Sequence, residues 1–421
     1  MTENKKIKIL TISDHPLSPS GVGTQTKYMC EALLESGKFS ITSLGGAIKH
    51  EDYSPVKTKE WDNDWIIYPV DGYGNEEMIR SYIRKEKPDI LWFMTDPRFW
   101  DWLWMIEHEI RALVPMVYYH VWDNFPPPDF NRKWYLSNDV IMTISKVTDQ
   151  IVEAVAPEVE RHYLPHAVDP NIFKPLSAEE KQKIKIDSLG EKGKDKMLFF
   201  WNNRNARRKQ SGTLIFWFKE FLDQVGHDKA TLIMHTDPKD PNGQDLEDIL
   251  NKLNLKEGQV MFSTTKYPPE GLASIYNMCD CTINISDAEG FGLATLESLS
   301  CGVPIIVNMT GGLQEQVTNG EEWFGIGLES CSKAIIGSQN IPYIREDRLN
   351  KEEFIGALLE FYNSSPEERE EMGKRGLEHV KTNYGFDKFK SQWVEQFLAI
   401  HEEHGSWENR KNYKSWELLE L

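Results

Sequence analysis

The chain has 421 residues, 40% of them hydrophobic and 11% aromatic, with a formal net charge of −18. That is a folded composition with material for two cores. Its acidity argues against a broad basic footprint for duplex nucleic acid or anionic membrane, while leaving room for a local basic patch. The five cysteines, Cys30, Cys279, Cys281, Cys301 and Cys331, make no two-armed metal pattern, and a sparse, odd set is expected of a reducing cytoplasm.

The N-terminal MTENKKIKIL turns polar by Ser13 and reads as neither signal peptide nor anchor. No apolar run reaches the ~18 residues of a membrane span. The first strand expected is 7–13, short, β-branched and apolar. A loop with Pro16, Pro19, Gly21 and Gly23 follows, then a helix carrying Tyr28, Met29, Ala32 and Leu33 that stops near Gly37. Strands at 89–94, 115–122 and 139–145 continue the rhythm, with a helix over 146–156. Residues 170–196 are charged and hold Pro170 and Pro175, which marks a domain boundary. Strands at 197–203, 230–236, 259–263, 281–286 and 303–308 then alternate with helices at 212–225, 245–253, 270–279 and 293–300. Alternation of this kind means a parallel sheet covered on both faces. The fold class is therefore α/β, with two Rossmann-like doubly wound domains. The first spans residues 1–175 and is completed by a C-terminal amphipathic helix over about 386–421, with aromatics at Phe386, Phe389, Trp393 and Phe397. The second spans 190–385. In such sheets ligands bind outside the carboxyl ends of the strands, so a ligand between two facing domains is expected.

Four loops carry chemistry. In "SDAEGFGLATLES" (286–298), Gly290 and Gly292 let the chain bend after a strand, and a helix starts at Leu293. Its first N–H groups have no partner within the helix, and its dipole favours an anion there. Glu289 precedes that anion site and Glu297 stands about one turn in. Beside an anion, carboxylates are suited to accepting hydrogen bonds from sugar hydroxyls. The pattern suggests a sugar nucleotide with its diphosphate at the helix start; the plain alternative is a capping acid and a solvated helix Glu. In "WNNRNARRKQSG" (201–212), Arg204, Arg207, Arg208 and Lys209 crowd one loop of an acidic chain. Fixed cations there would stabilise a diphosphate leaving group; a solvated basic loop or an RNA contact is the alternative. His120 closes a strand and is suited to touching a sugar hydroxyl or the reacting centre, or it is an ordinary loop His. "PSGVGTQ" brings Gly21 and Gly23 close to a diphosphate and acceptor, without the spacing of a dinucleotide fingerprint.

Taken together, "SDAEGFGLATLESLSCGVPIIVNMTGGLQEQVTNG" resembles the signature region of retaining GT-B glycosyltransferases of family 4. Glu289 and Glu297, Cys301–Gly302–Val303–Pro304 and Gly311–Gly312–Leu313–Gln314–Glu315 match its landmarks. "NRNARRK" stands where the family has an Arg and a Lys five positions apart. "HAVDPNIFKP" resembles the interdomain crossing, with His166 in place of the usual Asn. The resemblance implies a retaining transfer from a UDP- or GDP-sugar to a hydroxyl acceptor. It implies that Glu289 contacts donor-sugar hydroxyls and Glu297 binds the ribose. Arg204, Lys209 and the Gly290–Phe291–Gly292–Leu293 backbone would hold the diphosphate. His120 would lie at the sugar's reacting face, and Gly21 and Gly23 would line diphosphate and acceptor. It implies no metal and no cofactor; "DPKD" (237–240) reads as a turn rather than a metal motif. The family's loop usually reads GR…KG, and here Asn203 and Gln210 replace the glycines.

Two other classes compete: a sugar-nucleotide 2-epimerase of GT-B shape, which would rely on acid/base carboxylates, and a non-catalytic sugar-nucleotide binder. A phosphorylase fits less well, because no lysine marks an evident cofactor pocket and the chain is short. The acceptor stays open among glycan, protein, small molecule and modified base. The aromatic run 91–107 is either core or a stacking platform for sugar rings, a lipid tail or a base.

Overall fold

In the computed structural model, which describes residues 5–414, the chain divides into two compact units. The first comprises residues up to His166, the stretch Ser338–Pro342 and the chain from Asp387 onward; the second is Ala167–Gly337 and Tyr343–Phe386. The division thus falls at His166 rather than after Pro175. The charged stretch expected to separate the domains holds a helix, Ala178–Leu189, capped by a reciprocal Ser177–Glu180 pair and included in the second unit. Glutamate reaching back to the Ser177 backbone satisfies a donor that would otherwise be orphaned.

The first unit is built on β1 (Ile7–Asp14), β2 (Phe39–Gly46), β3 (Val56–Lys57), β4 (Trp65–Pro69), β5 (Ile90–Met94), β6 (Met116–His120), β7 (Val140–Thr143) and β8 (Glu160–Tyr163). Their spatial order is β3-β4-β2-β1-β5-β6-β7-β8. Every pair is parallel except β3–β4. Because the sheet is buried on both faces, β5 is wholly apolar or aromatic, and so is β6 up to its last residue, the buried His120. Trp92, Phe93, Trp100 and Trp104 are at most 2% exposed, so most of the aromatic run is core; Phe99, at 48%, reaches solvent. The returning helix Phe386–His404 buries Phe389, Trp393 and Phe397, with Trp393 edge-on to Tyr119 at a centroid distance of 4.9 Å. It ends at His404 instead of running on. A two-residue pair follows, Gly405–Ser406 with Asn409–Arg410, and residues 415–421 of the expected helix lie outside the described ones. Gly21 and Gly23 occupy the first turn of the helix Gly21–Glu35 rather than the loop before it; Ser20 caps that helix by accepting from the Gly23 N–H.

The second unit holds β9 (Met197–Asn202), β10 (Ala230–His235), β11 (Val260–Ser263), β12 (Cys281–Asn284), β13 (Ile305–Asn308) and β14 (Gly325–Leu328). All are parallel, in the order β11-β10-β9-β12-β13-β14. Phe199, Trp201, Phe218 and Phe221 fill its core. An antiparallel pair, β15 (Ser332–Ile336) and β16 (Ile344–Arg348), follows the sheet. The strand order reverses between β9 and β12, which makes that edge the topological switch point of the sheet. The loops leaving those two strands are the cation-rich loop and the Glu289 loop.

Candidate functional site

The helix Leu293–Ser300 starts where the sequence spacing puts it, after Gly292 at φ 90°. Glycine is required there: a side chain would lie 2.6 Å from Leu313 Cδ2 and 2.7 Å from Thr295 Oγ1. Second-unit groups hold the loop before it from below. Gln316 donates through Nε2 to the Phe291 carbonyl at 2.7 Å, and the Gly312 N–H donates to the Glu289 carbonyl at 3.1 Å. Gly312 itself packs so closely that a Cβ would fall 2.7 Å from the Phe291 backbone. The Gly-Gly pair at 311–312 is thus a platform for the 289–292 turn.

Lys209 and Glu289 meet across this edge. The ammonium donates to Glu289 Oε2, and the two side chains are 9% and 13% exposed. Burial pushes the Glu289 carboxyl upward, but Lys209 and Arg208 outweigh it and hold the group below its ordinary value. Asn284 adds a donor to Oε2 at 3.3 Å. Arg208 also donates to the Ala288 carbonyl. Of the four clustered cations, Arg208 and Lys209 thus contact the 288–289 turn.

Arg204 lies elsewhere. It forks onto Asp240, Nε to Oδ2 at 2.6 Å and Nη2 to Oδ1 at 3.3 Å, and is 64% exposed. The "DPKD" turn therefore has a role, as the partner of Arg204. Arg207 pairs with Glu346 of β16, a carboxylate only 2% exposed that also takes Arg348 at 2.7 Å. β16 continues the support: the Asp347 N–H donates to the Asp287 carbonyl at 2.9 Å, and Thr310 donates to Asp347 Oδ2 at 2.7 Å. Asp287 is raised to about 6 by burial and accepts from Gln210 Nε2 at 2.6 Å. Gln210 sits at φ 57°, the conformation glycine takes without steric cost. Its side chain spans Asp287 and Thr213 Oγ1, the latter at 2.7 Å, which offsets the backbone cost. A cavity of about 290 Å³ lined by Gln210, Thr213, Asp287 and Arg348 adjoins this loop.

Glu297 lies one turn into the helix and accepts from the Tyr276 hydroxyl at 2.7 Å; that hydroxyl accepts in turn from Asn202 Nδ2 at 2.9 Å. Burial lifts the Glu297 carboxyl to about 7. The Nδ2 atom of Asn203, the residue that replaces the family glycine, is buried with no hydrogen-bond partner.

The first-unit expectations fare differently. His120 does close β6, but its ring is 0% exposed. Tyr135 donates to Nε2 at 2.7 Å. Nδ1 donates to the Tyr118 hydroxyl at 3.1 Å, and that hydroxyl donates to the Thr95 carbonyl at 2.7 Å. Burial drops the imidazole to about 3. With both nitrogens engaged, the contact with a sugar hydroxyl expected of His120 is not what this side chain makes. Gly23 packs tightly, a Cβ there lying 2.7 Å from the His15 carbonyl, and Gly21 begins the same helical turn.

The switch-point turn thus carries the Lys209–Glu289 pair, a helix N-terminus and a second carboxylate one turn in. Residues 181–379 match the family model described as glycosyl transferases group 1. That segment is a glycosyl transferases group 1 domain. The matched segment contains Arg204, Arg207, Arg208, Lys209, Glu289, Glu297 and Glu346. A D-inositol 3-phosphate glycosyltransferase of Corynebacterium jeikeium (strain K411) is 26% identical over 183 residues, 43% of this chain and 43% of that protein. A GDP-mannose-dependent alpha-(1-6)-phosphatidylinositol monomannoside mannosyltransferase of Mycolicibacterium smegmatis is 28% identical over 191 residues, 44% and 47% of the two chains. The matches thus span less than half the length of these relatives. Among solved structures, a sucrose-phosphate synthase from Thermosynechococcus elongatus aligns with a TM-score of 0.73 at 16% identity, covering 94% of this chain and 100% of that one. The fold is that of GT-B glycosyltransferases, with two Rossmann-like domains. Among the described residues, no helix is long and apolar enough to cross a membrane.

Proposed function

We propose that the chain is a glycosyltransferase that moves a sugar from a UDP- or GDP-sugar to a hydroxyl acceptor with retention of anomeric configuration. The observation that carries this reading is the Lys209–Glu289 pair set against the start of the helix Leu293–Ser300 within a group 1 domain. A bound diphosphate would take the ammonium of Lys209 and the first-turn N–H groups. Glu289, released from that pair, would accept from donor-sugar hydroxyls. Glu297 would accept from the ribose, with Tyr276 holding its second oxygen. Arg208 joins Lys209 in stabilising the charge that develops as the glycosidic bond breaks, and Arg204 would do so after leaving Asp240. Asn203 Nδ2 is a donor left for the ligand. Lys209 and Arg208 would supply the positive charge that a divalent ion otherwise brings to a diphosphate, and the donor site is proposed to work without metal or cofactor. In a same-face reaction the departing phosphate takes the acceptor's proton, which asks for no carboxylate dyad.

The five cysteines are all free thiols, which supports a cytoplasmic location. The acceptor class is left as a glycan, protein, small molecule or modified base. No observation favours the epimerase or the non-catalytic binder. The test is incubation of the purified chain with UDP- and GDP-sugars, followed by NMR of the released sugar. Slow release of sugar in the donor's own anomeric configuration supports the proposal. Appearance of the 2-epimer, or no turnover of a donor that binds tightly, would replace it with the epimerase or the binder.

A further inference from the structure

The first unit contains a second constellation, unrelated to the diphosphate loops. Glu160 and His162 lie on β8, and Glu403 and His404 end the returning helix. One ligand atom from each of Glu160, Glu403 and His404 falls within 4.8 Å of the others. His404 is 6% exposed, yet neither of its ring nitrogens has a hydrogen-bond partner. A buried imidazole is normally satisfied on at least one nitrogen. Its Nε2 is aimed at Glu160 Oε2 but stops at 3.8 Å, too far for a hydrogen bond. The other Glu160 oxygen accepts from His162 Nε2 at 2.6 Å, so the carboxylate is already held with one oxygen turned to His404. The His404 backbone is fixed as well: its carbonyl accepts from the Lys411 N–H at 2.8 Å and from Arg410 Nη1 at 3.1 Å.

We propose that Glu160, Glu403 and His404 bind a divalent transition-metal ion of the zinc class, with His162 orienting Glu160 and water completing the coordination. An ion between the three groups would give His404 the partner it lacks and neutralise two carboxylates. Two ligands of one tetrahedral ion at about 2.0–2.1 Å stand about 3.3–3.4 Å apart, so the 3.8 Å between Nε2 and Oε2 would close by a few tenths of an ångström on binding. One imidazole and two carboxylates suit zinc; magnesium keeps oxygen ligands and most of its waters. The hydrogen bond from His162 to the non-ligating oxygen is the outer support that zinc-binding carboxylates use. The ion would fasten the end of the helix that returns to the first unit onto the last strand of that unit's sheet, a structural role separate from donor chemistry.

The test is equilibrium dialysis of chelator-stripped full-length chain against zinc sulfate, with metal content and melting temperature read together and Co²⁺ absorption as a ligand-field signature. One zinc per chain is expected, with a rise in melting temperature that magnesium at the same concentration does not give. His404→Asn should lose that equivalent. Glu403→Gln, at an exposed position that folding tolerates, should weaken it about tenfold or more. No zinc held by the wild-type chain, or the same affinity in Glu403→Gln, overturns the proposal; the second result would assign the ion to another donor such as the exposed Cys331.

Discussion

Glu297→Gln tests the electrostatics of the site. Burial raises the Glu297 carboxyl from 4.5 to about 7, so the folded state keeps a proton that the unfolded chain releases. Stability from this group is fully present below about pH 4.5 and is lost as pH rises through about 7. At 1.36 kcal/mol per pH unit the whole difference is about 3 kcal/mol. The side chain is only partly covered, and solvent brings the figure to about 2 kcal/mol. Glutamine keeps the acceptor for Tyr276 and removes the titration. Urea denaturation from pH 5 to pH 8.5 should therefore show the variant level with wild type at the acid end and about 2 kcal/mol more stable at the alkaline end. Its nucleotide affinity at pH 8.5 should fall, because an amide accepts ribose hydroxyls less well than a carboxylate. Parallel stability profiles would refute the placement of a protonated Glu297 in the free protein.

Gly312→Ala should cost about 1–3 kcal/mol, since its Cβ meets Phe291 backbone that cannot swing aside; calorimetry reads the stability and turnover reads the displaced Glu289. His120→Phe keeps an aromatic ring but takes away the acceptor of the Tyr135 hydroxyl, at about 1–3 kcal/mol, while the Tyr118 hydroxyl keeps the Thr95 carbonyl. Because His120 is satisfied within its own unit, nucleoside-diphosphate affinity should stay within about twofold of wild type by calorimetric titration. Chelator-treated protein reloaded with zinc should show no more than about a twofold change in kcat on adding magnesium or manganese, whereas an absolute requirement would place a metal at the diphosphate.

The Glu289 turn was legible because its signals are local: two glycines, a helix start and two carboxylates at fixed spacing in one short segment. The partners of the cations were not. Arg204 finds Asp240 in a turn, and Arg207 finds Glu346 on a strand pair whose polar residues carry no strand pattern. Gln210 was seen only as a departure from glycine; its left-handed φ explains both why glycine is usual there and how Asp287 compensates. The burial of His120 was not legible, because a histidine ending a strand looks the same in sequence whether it meets solvent or core. The available clue was Tyr118, two residues back and so on the same face of β6. In β2 serines, threonine and a terminal Gly-Gly break the apolar run, and β4 is only five residues long, set in a polar stretch. The helices Lys351–Asn363 and Pro366–Asn383 were passed over in a charged stretch, where packing rather than sequence contrast defines the buried face.

In the proposed function Lys209 is the cation that exchanges Glu289 for a diphosphate. Calorimetric titration of UDP and GDP into wild type, Lys209→Met and the double variant Lys209→Met/Glu289→Gln tests it directly. Breaking the buried pair by one partner should destabilise Lys209→Met by about 3–5 kcal/mol, and the double variant should recover most of that. The predicted result is one-to-one binding of one of the two nucleotides by wild type and its loss in both variants, including the well-folded double variant. Unchanged affinity in the double variant would contradict the account.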